Sequence, residues 1–137
     1  MTLIMSTPTA RELAEQLFQY LAADDLQTAA ALFAPSVDFS IPGAPGIPWI
    51  PQADSPAGML EFFSRLPTHL DRKKFEISKV LADTEDVVVV GHLISMVRTT
   101  GRDIDSRFVL HLSVRDGQIS RYHLYEDSWA VAQALAV

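Results

Sequence analysis

The stretch that decides the fold runs over residues 87–126, VVVVGHLISMVRTTGRDIDSRFVLHLSVRDGQISRYHLYE. Within it Phe108, Leu110, Leu112 and Val114 alternate with Arg107, Val109, His111 and Ser113, the period of a strand with one buried face. Arg115-Asp116-Gly117 is a hairpin signal, because an Asp-Gly pair accepts the left-handed backbone that a tight turn demands. Thr99-Thr100-Gly101 marks a second turn. Strands are therefore predicted over Val87 to Arg98, Asp103 to Val114 and Gln118 to Glu126. A fourth, Lys74 to Leu81, precedes them across the turn Asp83-Thr84-Glu85-Asp86. The outcome is an antiparallel meander whose strands are long enough to curl.

Upstream the periodicity changes. Thr9-Ala10-Arg11-Glu12 reads as a capping box, and Leu13, Leu17, Tyr20 and Leu21 follow at helical spacing, so a helix is expected from Ala10 to Ala23. Asp24 or Asp25 caps a second helix carrying Leu26, Ala29, Ala30, Leu32 and Phe33, stopped by Pro35. Val37 to Ile41 alternates as a short strand. Five prolines and two glycines between Pro42 and Pro56 forbid regular structure there, and loops of that length tend to be lids or binding loops. Trp49 sits within it. Ser55-Pro56 caps a third helix through Met59, Leu60, Phe62, Phe63 and Leu66, expected to end at Pro67, and a short helix follows Asp127 or Ser128. Helices segregated from a mostly antiparallel sheet make the class α+β.

Length and composition bound the rest. At 137 residues, 48% hydrophobic and 20% charged, the chain suits one globular domain, read as residues 9–137 behind a disordered extension over residues 1–8. A net charge of −6, with no basic run beyond Arg72-Lys73-Lys74, excludes a nucleic-acid partner, and that triplet reads as a solvated strand end. No apolar run approaches the ~20 residues of a membrane span and residues 1–5 lack a basic leader, so a cytoplasmic protein without a membrane partner is expected. The absence of cysteine removes disulfides, thiolate metal sites and cysteine nucleophiles. No metal-ligand spacing, phosphate loop or dinucleotide fingerprint occurs, so no metal and no cofactor are expected.

Three phrases carry a family resemblance. They are Tyr20-Leu21-Ala22-Ala23-Asp24-Asp25-Leu26 leading to Ala31-Leu32-Phe33-Ala34; Pro42-Gly43 with Pro48-Trp49; and Val114-Arg115-Asp116-Gly117-Gln118-Ile119 continuing to Tyr125-Glu126-Asp127. In this order the chain resembles the nuclear transport factor 2-like superfamily, and within it the SnoaL-like and ketosteroid-isomerase-related proteins. The resemblance implies a cone-shaped fold, a curved antiparallel sheet wrapped around the N-terminal helices. Members include isomerases, epoxide hydrolases, polyketide cyclases, dehydratases and pure binding proteins, so fold alone leaves the reaction open. Ketosteroid isomerases use an Asp base with a Tyr and a protonated Asp as donors. Here the base position falls on Ile41, the second acid near Leu110 and the tyrosine near Leu17, with Tyr20 one turn away. The catalytic aspartate of limonene-type epoxide hydrolases falls on Leu124, and their Arg-x-Asp is absent. Neither catalytic set transfers.

The family-like register points Val88, Val90, His92, Ile94 and Met96 of the second meander strand inward, with Tyr122, Leu124 and Glu126 of the last. The expected pocket wall is Leu17, Ile41, Phe63, Val90, Phe108, Leu110, Leu112 and Leu124, joined by Tyr20 and by Trp49 from the loop. His92, Glu126 and Tyr122 are then the candidate catalytic groups, the imidazole as base and Glu126 as its partner or the acid. Each has a structural alternative: a core histidine, a helix-capping Glu126, core tyrosines at 20 and 122, a Trp49 that plugs the cone. Asp38 and Ser40 face away, as do Arg107, His111 and His123. With Val87, Val89, Leu93, Val97 and Val109 these give an outer face too apolar to leave wet, read as a homodimer interface with Arg107 and His123 at its edge. Two functions stand: a cofactor-independent isomerase, cyclase or dehydratase for a small apolar polyketide-, terpenoid- or steroid-like compound, or a non-catalytic hydrophobic-ligand or dimeric accessory module.

Overall fold

The computed structural model describes residues 7–136, in which α1 (Ala10–Ala22), α2 (Leu26–Ala30), β1 (Phe33–Ser40), α3 (Pro56–His69), β2 (Leu70–Ala82), β3 (Asp86–Val97), β4 (Asp103–Arg115), β5 (Gln118–Glu126) and α4 (Ser128–Leu135) follow in order. Residues 1–6 of the expected extension lie outside the described residues, while Thr7 and Pro8 pack against Gly117. Among the described residues no helix is long and apolar enough to cross a membrane.

The five strands form one mixed, open sheet in the order β1-β5-β4-β3-β2. β2 to β5 are the antiparallel meander, and β1 joins the far edge parallel to β5. The β4–β5 turn is the two-residue Asp116-Gly117 loop, both with positive φ (53° and 74°), which is why an Asp-Gly pair stands there. Bulges in β2 between Arg72 and Lys74, and between Ile77 and Lys79, bend that edge over the helices.

Helix starts fall where their caps predict. Thr9 accepts from Glu12 N, Ser55 from Gly58 N with Pro56 in the first turn, and Asp127 from Ala130 N. Each such cap stabilises its helix by about 1 kcal/mol. Two ends differ from expectation, both through proline. α2 stops at Ala30 and Phe33 opens β1, so Pro35 lies inside a strand; β1 is an edge, and its register shifts between Phe33 and Asp38, which spares the missing N–H. α3 runs past Pro67 to His69, its last turn tied to the end of β3 by Arg98, whose Nε donates to Pro67 O (3.0 Å) and N to His69 O (2.9 Å).

The core lies between the helices and the concave face of the sheet. Leu13, Leu17, Val87, Val89, Leu112 and Ile119 fill its closed end. The strict alternation of β3 has the opposite phase to the expected one: Val87, Val89, Gly91, Leu93, Ser95 and Val97 point inward, and Val88, Val90, His92, Ile94 and Met96 point out. The cause is the pairing with β4. Gly91 pairs with Phe108, Leu93 with Ser106 and Ser95 with Ile104, and laterally paired residues share a face, so the clear inner row of β4 dictates that of β3. The interface residues Val87, Val89, Leu93 and Val97 therefore belong to the core.

Candidate functional site

Toward the open end of the cone the core parts into a cavity of about 480 Å³. Its wall is mostly apolar: Phe18, Leu21 and Ala22 of α1, Phe62, Phe63 and Leu66 of α3, Ile41 and Trp49 of the loop, and Leu93, Phe108, Leu110 and Leu124 of the sheet. The polar groups in it are Arg72, Ser95, Tyr122 and Glu126. Phe75 and Ile77, 39% and 40% exposed, line it from β2 and mark where it meets solvent.

Each polar group is held by the fold. Tyr122 stands in a cluster of aromatic rings, stacked on Phe39 (centroids 5.7 Å apart, 12° between planes) and edge-on to Phe62 and Phe63. That fixes the ring and leaves only its hydroxyl free to face the cavity. Glu126 is the last residue of β5, opposite Phe108. The next peptide is anchored because Asp127 N donates to Oγ of the buried Ser106 (2.8 Å), while the Asp127 carboxylate caps α4. The capping role considered for Glu126 thus belongs to Asp127, and Glu126 is left to the cavity.

Phe108 sets the position of Arg72. The Phe108 ring lies over Gly91, where a Cβ would stand 2.5 Å from its Cζ and 2.3 Å from the Glu76 backbone oxygen. Only a glycine leaves that space, and through it Phe108 reaches across β3 to stack on Phe75 (5.1 Å, 18°). The Arg72 guanidinium in turn rests on the Phe75 ring, 4.8 Å from its centroid. Among the described residues it has neither a hydrogen-bond acceptor nor an ion-pair partner. Arg72 is exposed by area and lines the cavity from β2, beside Phe75, where the cavity meets solvent.

The electrostatics follow from this setting. Burial pushes the Glu126 carboxyl above the usual carboxylate range, with the Arg72 charge opposing the rise only in part. Burial likewise raises the Tyr122 phenol, so it stays protonated as a hydrogen-bond donor. Desolvation lowers Arg72 from its ordinary value.

Of the residues singled out in the sequence, Tyr122, Glu126, Trp49, Ile41, Phe63, Phe108, Leu110 and Leu124 line this cavity, and His92, Val90, Leu17, Tyr20 and Leu112 do not. His92 and Val90 lie on the convex face through the phase of β3, and His92 Nε2 sits 2.5 Å from Asp105 Oδ1. Leu17 and Leu112 are wholly buried in the closed end, while Tyr20 packs half-buried at the core's margin. α1 instead presents Phe18, Leu21 and Ala22, a rotation by one residue that helical periodicity cannot resolve. Sequence reasoning missed Arg72 and Ser95. The triplet Arg72-Lys73-Lys74 reads as a solvated strand end, and the two lysines between Arg72 and Phe75 give no sign that a bulge turns Arg72 inward. Ser95 could have been found from the four-residue turn 98–101 closed by Val97 and Arg102, which sets odd-numbered β3 residues opposite even-numbered inner residues of β4.

The other histidines of the sheet are also outside. His111 Nε2 lies 2.8 Å from Asp86 Oδ1, which also accepts from Ser113 (2.6 Å). His123 Nε2 lies 2.9 Å from Asp38 Oδ1, a close contact rather than an aligned hydrogen bond. Ser113, His111 and Asp86 are not a nucleophilic triad: the serine donates to the carboxylate itself, and none of the three lines the cavity.

A helix-backed, curled sheet closing on one apolar cavity is the architecture of nuclear transport factor 2-like proteins. Solved structures agree. A nuclear transport factor 2-like protein from Burkholderia xenovorans is 21% identical over 96% of this chain and 100% of that one, with a TM-score of 0.85. A proposed isomerase from Bacillus subtilis is 21% identical over 91% of each chain (TM-score 0.73). A proposed SnoaL-like polyketide cyclase from Mesorhizobium loti is 15% identical over 86% of this chain and 99% of that one (TM-score 0.68). Residues 14–122 match the SnoaL-like domain family, and the chain belongs to it. No functionally curated protein matches the chain by sequence.

Proposed function

We propose that the cavity takes up a small apolar polyketide-, terpenoid- or steroid-like molecule, and that Glu126 and Tyr122 perform cofactor-independent acid–base chemistry on it. The observation that carries this reading is one carboxyl and one phenol in the wall of a mostly apolar cavity of about 480 Å³, a size and lining suited to a small ligand. A carboxyl whose pKa is raised by burial is a stronger base when ionised and keeps its proton to higher pH as an acid. In an isomerisation Glu126 takes a proton from carbon next to a carbonyl and returns it elsewhere on the same skeleton. Tyr122 donates a hydrogen bond to the oxygen that gains charge meanwhile. His92 has no part, since it lies across the sheet.

The test is turnover of an enolisable substrate by Glu126→Gln and Tyr122→Phe. Loss of about 100-fold or more for Glu126→Gln and a smaller loss for Tyr122→Phe are expected. Unchanged turnover in both refutes the assignment. A second reading, a non-catalytic carrier, is favoured by the aliphatic side chains Ile41, Leu110 and Leu124, which stand in the wall where related enzymes place acids.

We also propose a cytoplasmic homodimer formed through the convex face of the sheet. Val88, Val90, Val109 and the 47% exposed Tyr125 form its apolar centre, neighbours across β3, β4 and β5. The His92–Asp105 and His111–Asp86 pairs, Arg107 and the Asp38–Arg121–His123 group surround them. An apolar centre with a polar rim is the anatomy of a two-fold interface.

A further inference from the structure

Resting on the pocket reading above, we infer that the ligand carries a carboxylate and that Arg72 is the residue that selects it. The guanidinium sits in a cavity wall otherwise made mostly of hydrocarbon, and among the described residues no oxygen accepts from it and no carboxylate pairs with it. A cation left without a partner in the wall of a mostly apolar cavity is available to an anion that enters it. Glu126 is not that anion: it shares the cavity but closes no ion pair with Arg72, and burial favours its neutral form.

The geometry narrows the anion to a planar one. The Phe75 ring holds the guanidinium at 4.8 Å from its centroid, and the planar N–H fork of a guanidinium donates two parallel hydrogen bonds to a carboxylate. Ser95, the register partner of Arg72 on β3, is buried and lines the same cavity, adding a neutral hydroxyl donor. One cation and one hydroxyl suit a monoanion; a phosphate dianion would call for further cationic groups, and the other side chains of the cavity supply none. The remaining wall, including Ile41, Leu66, Leu110 and Leu124, takes the apolar body. The substrate class is therefore an apolar carboxylic acid, oriented acid-first toward β2 with its skeleton lying past Tyr122 and Glu126.

The test is isothermal titration calorimetry of the full chain at neutral pH with naphthalene-2-acetate and its neutral counterpart 2-(2-naphthyl)ethanol. The acid is expected to bind about tenfold or more tightly than the alcohol, as a charge-assisted pair requires. Arg72→Gln should abolish that preference, leaving the acid no tighter than the alcohol, and Arg72→Lys should restore part of it. Equal binding of the two probes to the wild type, or a preference that survives Arg72→Gln, overturns the inference and leaves the pocket reading standing. Binding of neither probe at millimolar concentration overturns the pocket reading, and the inference with it.

Discussion

Gly91→Ala offers a sharp test of the site's construction, because two lines of reasoning give opposite signs. Gly91 does not have a positive φ, and alanine in a strand with an unstrained backbone ordinarily stabilises by about 0.4–1 kcal/mol through the unfolded chain. The structure predicts the reverse. A Cβ here would stand 2.3 Å from the Glu76 backbone oxygen and 2.5 Å from the Phe108 ring, far inside van der Waals contact. The ring can escape only into the cavity, giving up its stack on Phe75, and β2 must move as well. Overpacking of this kind costs about 1–3 kcal/mol. With an unfolding entropy of about 2 cal/mol/K per residue over 137 residues, that corresponds to a fall in Tm of about 3–10 °C. Thermal and urea unfolding of the variant measure it. Phe108→Leu in the Gly91→Ala background should recover part of the loss, the remainder belonging to the backbone clash, as a double-mutant cycle separates them. A Gly91→Ala protein as stable as wild type, or more so, would refute the account of how Phe108 and Arg72 are placed.

Burial raises the Glu126 carboxyl, so the folded chain holds that proton more tightly than the unfolded one. The contribution is complete below the usual carboxylate range and is lost as pH rises through the raised pKa; Glu126→Gln should gain in urea midpoint over wild type as pH rises through and above the usual carboxylate range. A constant difference across that window would contradict the burial. His92→Ala should leave cavity binding and turnover within about twofold of wild type, since the ring is on the convex face beside Asp105; a large loss would put the phase of β3 in error. Val109→Asp should turn a dimer into a monomer in light scattering at micromolar concentration, and a wild type that is already monomeric removes the proposed interface.

Order and type of the elements were legible along the chain because they rest on local chemistry. The caps at Thr9, Ser55 and Asp127, the Asp116-Gly117 turn and the alternation around Phe108 act over a few residues and needed no partner to be read. Tyr122, Leu124 and Glu126, which the family-like register points inward, line the cavity. Long-range pairing settled the choices on which local pattern is silent. Four consecutive valines, Val87 to Val90, satisfy either phase of a strand, so the facing of β3 came from its pairing with β4, and with it the exclusion of His92 and the entry of Ser95. Arg72 turned from a solvated strand end into a cavity cation because a bulge bends β2 and because Phe108, given room by Gly91, carries Phe75 beneath it. A strand's own period names two faces; which of them is inside depends on strands and helices far away in the chain.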